Sequence, residues 1–182
     1  MRVSDGCISI RPLGVEDKAN YCHFLSDLRV SGSLRGEIRP GSGIRLLSDC
    51  SIEELHEKFE QSLENHIGRT PCLFGVELVV ANSLIGSIGS YEIDASRMGL
   101  SYWLGAPFQG KGYGTRLLNL YRDASLRHFK RRQLIADVAD DNLTSIAALR
   151  KAGFRDVAGA KDPGFTSLPG RKILEWSLRN QH

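Results

Sequence analysis

The segment Pro107 to Leu118, PFQGKGYGTRLL, places glycines at 110, 112 and 114 beside Gln109, Lys111 and Thr115, directly in front of an apolar helical pattern. Glycines admit positive φ, which lets backbone N–H groups crowd around an anion, and a following helix adds its unpaired first-turn N–H groups and positive dipole end. The chemistry expected here is phosphate binding, and three templates compete for it. Gly105 to Lys111 spells G-x-x-x-x-G-K, but Gly112 stands where a magnesium-nucleotide loop needs the hydroxyl of Ser or Thr. A dinucleotide fingerprint G-x-G-x-x-G begun at Gly110 meets Thr115 in place of its last glycine. The third template, Q-x-x-G-x-G between a strand and a helix, is met by Gln109, Gly112 and Gly114.

A second motif follows downstream in DDNLTSIAALRKAGF, where Asn142 and Ser145 form N-x-x-S and Lys151 to Phe154 reads K-A-G-F. With both segments in place, the chain resembles the GNAT superfamily of N-acetyltransferases from about Gly99 to Phe154. The flanking YWL and ALRKAGF are similar to the branch that includes the ribosomal-protein alanine N-acetyltransferases. The resemblance implies an α/β fold with a mixed, mostly antiparallel sheet of six to seven strands flanked by helices. It also implies acetyl-CoA as co-substrate and a primary amine, a protein N-terminus or a small molecule, as acceptor. In such a protein Gln109, Gly110, Lys111, Gly112, Tyr113, Gly114 and Thr115 would hold the pyrophosphate. The strands LSYWL and QLIADV would splay so that backbone groups of Tyr102, Trp103 and Leu104, with Asn142, hold the pantetheine arm.

Direct attack of a neutral amine on a thioester needs an oxyanion donor, a base for the ammonium proton and help for the departing thiolate. Glu92 is the leading base, because it shares strand parity with Ile88 and Leu84 and would sit partly buried; Glu77 and Asp94 are lesser candidates, and a water chain could replace all three. Many family members place a Tyr before K-x-G-F to protonate the thiolate, whereas this chain has Leu149 there. Ser145 is then the candidate to hydrogen-bond the sulfur, or the thiolate leaves unassisted, which a thiol pKa of about 8.5 tolerates.

These residues need elements to carry them. CISIRPL reads as an opening strand, and VEDKANYCHFLSDL as a helix with Val15, Ala19, Cys22, Leu25 and Leu28 on one stripe and Glu16 and Asp17 in its first turn. The Gly- and Arg-rich stretch from Arg29 to Asp49 reads as a long functional loop over the acceptor side, with the turn from Pro163 to Pro169. Ser51 and Glu54 form a capping box for a helix ending near Gly68, three antiparallel strands follow to Leu104, and TRLLNLYRDASLRHF, QLIADV, NLTSIAALRKAGF and RKILEWSL supply helix, strand, helix and strand.

A length of 182 residues suits one domain, 1–182, and a net charge of +3 suits an anionic small ligand without the footprint of a nucleic-acid binder. The basic run RHFKRR complements a helix C-terminus. Cys7, Cys22, Cys50 and Cys72 lack metal-ligand or redox spacing, so no metal is expected, and the thiols read as reduced. No apolar run has the form of a signal peptide or membrane span, so the expectation is a cytoplasmic protein with no membrane or nucleic-acid partner and with a homodimer left open. Two other readings stand beside the acetyltransferase: a non-catalytic acyl-CoA-binding regulatory domain and, last, a magnesium-dependent nucleotide binder.

Overall fold

The apolar runs between residues 72 and 104 form the centre of one sheet in the computed structural model, which describes residues 1–36, 43, 45–64, 72–129, 132–157 and 170–178. In chain order the elements are β1 (Val3–Ser4), β2 (Ile8–Pro12), α1 (Lys18–Leu25), α2 (Leu28–Ser31), β3 (Arg35–Gly36), β4 (Arg45–Leu46), α3 (Ile52–Glu64), β5 (Cys72–Leu78), β6 (Ser83–Glu92), β7 (Arg97–Leu104), α4 (Tyr113–His128), β8 (Gln133–Ala139), α5 (Leu143–Lys151), β9 (Arg155–Asp156) and β10 (Arg171–Ser177). The sheet has eight strands in the order β1-β2-β5-β6-β7-β8-β10-β9, with β3 and β4 as a separate hairpin. Six to seven strands were expected, and the difference lies in the two-residue edge strands β1 and β9. Among the described residues every sheet pairing is antiparallel except β7 with β8.

Helices cover both faces. On one, Tyr21, Cys22 and Leu25 of α1 and Leu55 and Phe59 of α3 pack over Leu13 and Leu84. On the other, Leu117, Leu118 and Tyr121 of α4 and Ile146 and Leu149 of α5 cover Ile88, Met98, Leu100 and Leu134. This explains why β6 is buried almost throughout: a strand covered on both faces loses the apolar and polar alternation of a half-exposed one. Among the described residues no helix is long and apolar enough to cross a membrane.

The capping box forms as expected, with Ser51 N donating to Glu54 Oε2 at 2.8 Å and Glu54 N to Ser51 Oγ at 3.3 Å; the expected helix end near Gly68 lies outside the described residues. The first helix differs from its pattern. Val15 belongs to a 3-10 turn before α1, and Asp27 caps a new helix, α2, so Val15 and Leu28 stand 75% and 70% exposed instead of joining the buried stripe. Ala19 is also exposed. The α2 helix and the β3–β4 pairing order both ends of the stretch expected as one long loop, whereas the turn at 163–169 lies outside the described residues.

Asp17, expected as a dipole partner, instead sits buried against Arg11, whose guanidinium donates to Asp17 at 2.7 and 2.8 Å and to Glu77 at 2.5 Å. Ser9 Oγ and Gly14 N complete the two carboxylates. Hydrogen bonding to Asp17 raises the Arg11 pKa above its ordinary value, so this cation is permanent and ties β2 to β5 and to the entry of α1. Replacing Arg11 by Met would strand two carboxylates in the interior. The expected cost is about 3–5 kcal/mol, measured as a lower denaturant midpoint at neutral pH, and a loss below about 1 kcal/mol would mean that the cluster behaves like a surface pair.

Candidate functional site

The parallel ladder between β7 and β8 runs from Arg97↔Gln133 to Leu100↔Ala136 and ends there. Beyond it, β7 follows β6 to the pair Leu104↔Gly86, while β8 follows β10 to Ala139↔Arg171. Arg171 Nε also donates to Asp137 Oδ1 at 2.7 Å, holding the outer half of β8 to its other neighbour. The strands therefore part into a wedge, each still paired on its far side.

Backbone alternation decides which groups face this wedge. Gly105 N donates to Ile85 O at 2.9 Å, so the Leu104 carbonyl in the same peptide points away from β6. The polar groups of Tyr102 and Leu104 therefore face the wedge, and those of Trp103 turn to β6. Glycine at 86 agrees, since an added Cβ there would lie 2.3 Å from Trp103 O. The expected trio of backbone contacts reduces to Tyr102 and Leu104. The Trp103 ring lies on the opposite face from Tyr102, edge-on to Tyr21 with centroids 5.3 Å apart, which is a packing role.

The wedge opens into a cavity of about 470 Å³ bounded by the glycine loop, α5 and the segment from Arg29 to Leu34. Gly110 and Gly112 hold φ of +72° and +82°, conformations that side chains rarely adopt, and a Cβ at either would meet nothing within 4 Å. The loop is thus open toward the cavity, with Gly112 as N-cap of α4 and the first-turn N–H groups behind it. A Cβ on Gly114 would reach Ala148 at 3.6 Å, so methyl fits there and anything larger fills the gap between α4 and α5. Gln109, Gly110, Gly112, Gly114 and Thr115 line the cavity. Lys111 is exposed and Tyr113 packs inward on the cluster of Ile10, Leu117 and Tyr121; neither belongs to the lining. Gln109 Nε2 donates to Leu104 O at 2.9 Å, fastening the loop to the end of β7.

Across the cavity, Asn142 Oδ1 accepts from Ser145 N at 3.1 Å as the N-cap of α5, while its Nδ2 donates to Ser33 Oγ at 3.1 Å. Ser145 Oγ lies 2.9 Å from the Tyr102 hydroxyl. Burial raises the Tyr102 phenol above its ordinary pKa, so it remains protonated at neutral pH.

The carboxylates weighed as bases lie elsewhere. Glu92 pairs with Met98 at the closed end of the ladder and is exposed, not partly buried; it lies four residues from Ile88, the partner of Tyr102, or about 13 Å along the strand. Parity with Ile88 misled because β6 passes beyond its helical cover at Tyr91. Glu77 is engaged by Arg11 and Ser9 on β5. Asp94 accepts N–H donors from Ser96 and Arg97 in the turn before β7; the Ser96 hydrogen bond first, then Arg97, hold its carboxyl far below the usual range. Among the described lining residues there is no carboxylate and no imidazole. Arg29, at the head of the stretch expected to wall the acceptor side, does line the cavity; Lys151 lines it as well and was not foreseen, although Thr144, Ala148 and Lys151 share one face of α5 at helical spacing. The Tyr102 hydroxyl was missed as well, because its register against α5 is a long-range property.

Residues 8–155 match the family model described as an acetyltransferase (GNAT) domain. A probable N-acetyltransferase of Bacillus subtilis is 29% identical over 106 residues, 57% of this chain and 55% of that protein, so the match spans about half the length of this curated relative. An acetyltransferase of the GNAT family from Bacillus anthracis superposes with a TM-score of 0.74 at 16% identity, over 97% of this chain and 98% of the other. A ribosomal L7/L12 alpha-N-protein acetyltransferase solved in complex with coenzyme A gives 0.73 at 17% identity, over 96% of each. At these identities the solved structures share the fold.

Proposed function

The chain belongs to the GNAT acetyltransferase family, and from that premise we propose that it transfers an acetyl group from acetyl-CoA to a primary amine by direct attack in a ternary complex. The observation that carries the reading is the meeting of two features: the wedge beyond Leu100↔Ala136 and the positive-φ loop that opens α4 bound one cavity. The lining suits a polyanionic co-substrate, because its charged side chains among the described residues are Lys151 and Arg29, the latter ion-paired with Asp27, and the loop presents backbone donors.

Acetyl-CoA would bring an activated acyl group on a thiol of modest basicity. Gly110, Gly112, Gly114 and Thr115 would present their N–H groups to the pyrophosphate, with Lys151 nearby on α5 as a further cation. Tyr102 N–H and C=O and Leu104 N–H would pair with the pantetheine amides, and a backbone N–H would donate to the carbonyl that gains negative charge during attack. Asn142 and Ser145 would close the opposite wall, and the segment Arg29 to Leu34 would bound the side from which the amine enters.

The acceptor is a protein N-terminus or a small amine, and with no carboxylate or imidazole among the described lining residues its proton would pass to water. One expected outcome is that the rising limb of kcat/KM against pH moves with the pKa of the amine across an acceptor series, and that Glu92→Gln leaves the profile where it was. A limb fixed at one pH for all acceptors would instead point to a base on the protein.

The same missing base supports a second reading, a regulatory domain that binds acyl-CoA without turning it over. Thiol release against a panel of N-terminal peptides and small amines separates the two, since tight CoA binding with no turnover favours the regulator. Gly112→Val forces a branched side chain into a left-handed backbone, and Gly114→Leu fills the gap to Ala148. Each should lower CoA affinity at least about tenfold by calorimetry while far-UV circular dichroism stays native, the loss of one or two charge-assisted bonds. Unchanged affinity would remove the phosphate-loop assignment.

A further inference from the structure

Tyr102 packs against both clusters on the α4 and α5 face of the sheet, and its hydroxyl ends beside Ser145. Tyr102 comes from β7 and Ser145 from the first turn of α5, 43 positions apart in sequence, and their oxygens meet at 2.9 Å on the wall of the cavity. The Ser145 N–H is already taken by the Asn142 cap, which fixes the start of α5 and hence the serine rotamer axis. Tyr102 also lies 3.5 Å from the Ser145 carbonyl, at the limit of a hydrogen bond, so the serine hydroxyl is its closer partner. A phenol is a far stronger acid than an alkanol, so in a neutral pair the phenol donates and the alkanol accepts. That leaves the Ser145 hydrogen to point at a third atom. Leu149, one turn further along α5, is fully buried in the core and offers no chemistry to the cavity.

We propose that Tyr102 is a positioning residue that donates to Ser145 Oγ and thereby aims the Ser145 O–H at the sulfur of the acyl donor. During transfer the C–N bond forms as the C–S bond breaks and the electron pair leaves on sulfur. The Ser145 hydrogen bond stabilises that thiolate, which takes its proton from solvent after release, while the proton lost by the amine passes to water. Neither hydroxyl changes its protonation state over the cycle. This rests on the acetyl-transfer reading for its kinetic consequence, but its contact with sulfur can be read from CoA alone.

The test uses the full-length chain, Tyr102→Phe, Ser145→Ala and the double variant. The thiol pKa of bound CoA, followed by thiolate ultraviolet absorption, should rise by about half a unit to one unit in each single variant, and no further in the double. With a working acceptor, kcat should fall about three- to tenfold in Tyr102→Phe with KM for acetyl-CoA unchanged, and Tyr102→Phe should have no added effect in the Ser145→Ala background. Equal thiol pKa values in all four proteins, additive losses, or a change confined to KM would overturn the proposal. Thiol shifts in the variants together with a wild type that acetylates no amine would sustain the pair and sink acetyl transfer. One that binds no CoA would sink both.

Discussion

The site depends on a ladder that stops. β7 and β8 are the parallel pair of the sheet, and parallel strands need a long crossover, here α4, to return the chain beside its neighbour. Because each strand keeps its outer partner beyond Leu100↔Ala136, the parting is stable and not a frayed edge. It turns toward the gap what a sheet otherwise consumes, the backbone N–H and C=O of Tyr102 and the N–H of Leu104, whose carbonyl Gln109 takes.

The crossover then supplies a positive-φ loop that lines the cavity. The chain leaves β7, turns through Gly110 and Gly112 in left-handed conformations and starts α4 with its unpaired N–H groups beside the wedge. Gln109 fastens that turn to Leu104, so the loop is indexed to the strand whose backbone faces the cleft. On the far side, Asn142 fixes α5 and reaches Ser33 beyond α2, linking α5 to the segment from Arg29 to Leu34 across the cavity. The Arg11 cluster lies away from all of this and serves the frame, joining β2, β5 and the entry of α1.

What could be read in advance was what depends on neighbours in sequence. The glycine loop, the Asn142 cap and the Ser51–Glu54 box are local devices whose residue types are dictated by φ or by an orphan N–H, and each stands where its spacing put it. Fold class followed from the order of apolar runs. The misses share a different cause. Glu92 was placed by parity along β6, a guide that fails where the strand runs past its cover at Tyr91; Val15 fell into a 3-10 turn ahead of α1, and Leu28 into the new helix that Asp27 caps. Asp17 and Tyr102 found partners in Arg11 and Ser145 through strand register and helix docking, which no local pattern encodes.

A wall whose described residues include no base constrains the acceptor by simple titration. An α-amino group with a pKa of about 7.7–8.0 is neutral in roughly one molecule in ten at pH 7, whereas a lysine amine near 10.4 is neutral in about one in 2,500. If water must take the proton before attack, the α-amine holds an advantage of roughly 300-fold in reactive species, and the higher intrinsic nucleophilicity of the more basic amine recovers part of it. Under the proposed transfer with water as the proton acceptor, this titration favours a weakly basic amine, a chain terminus over a lysine side chain.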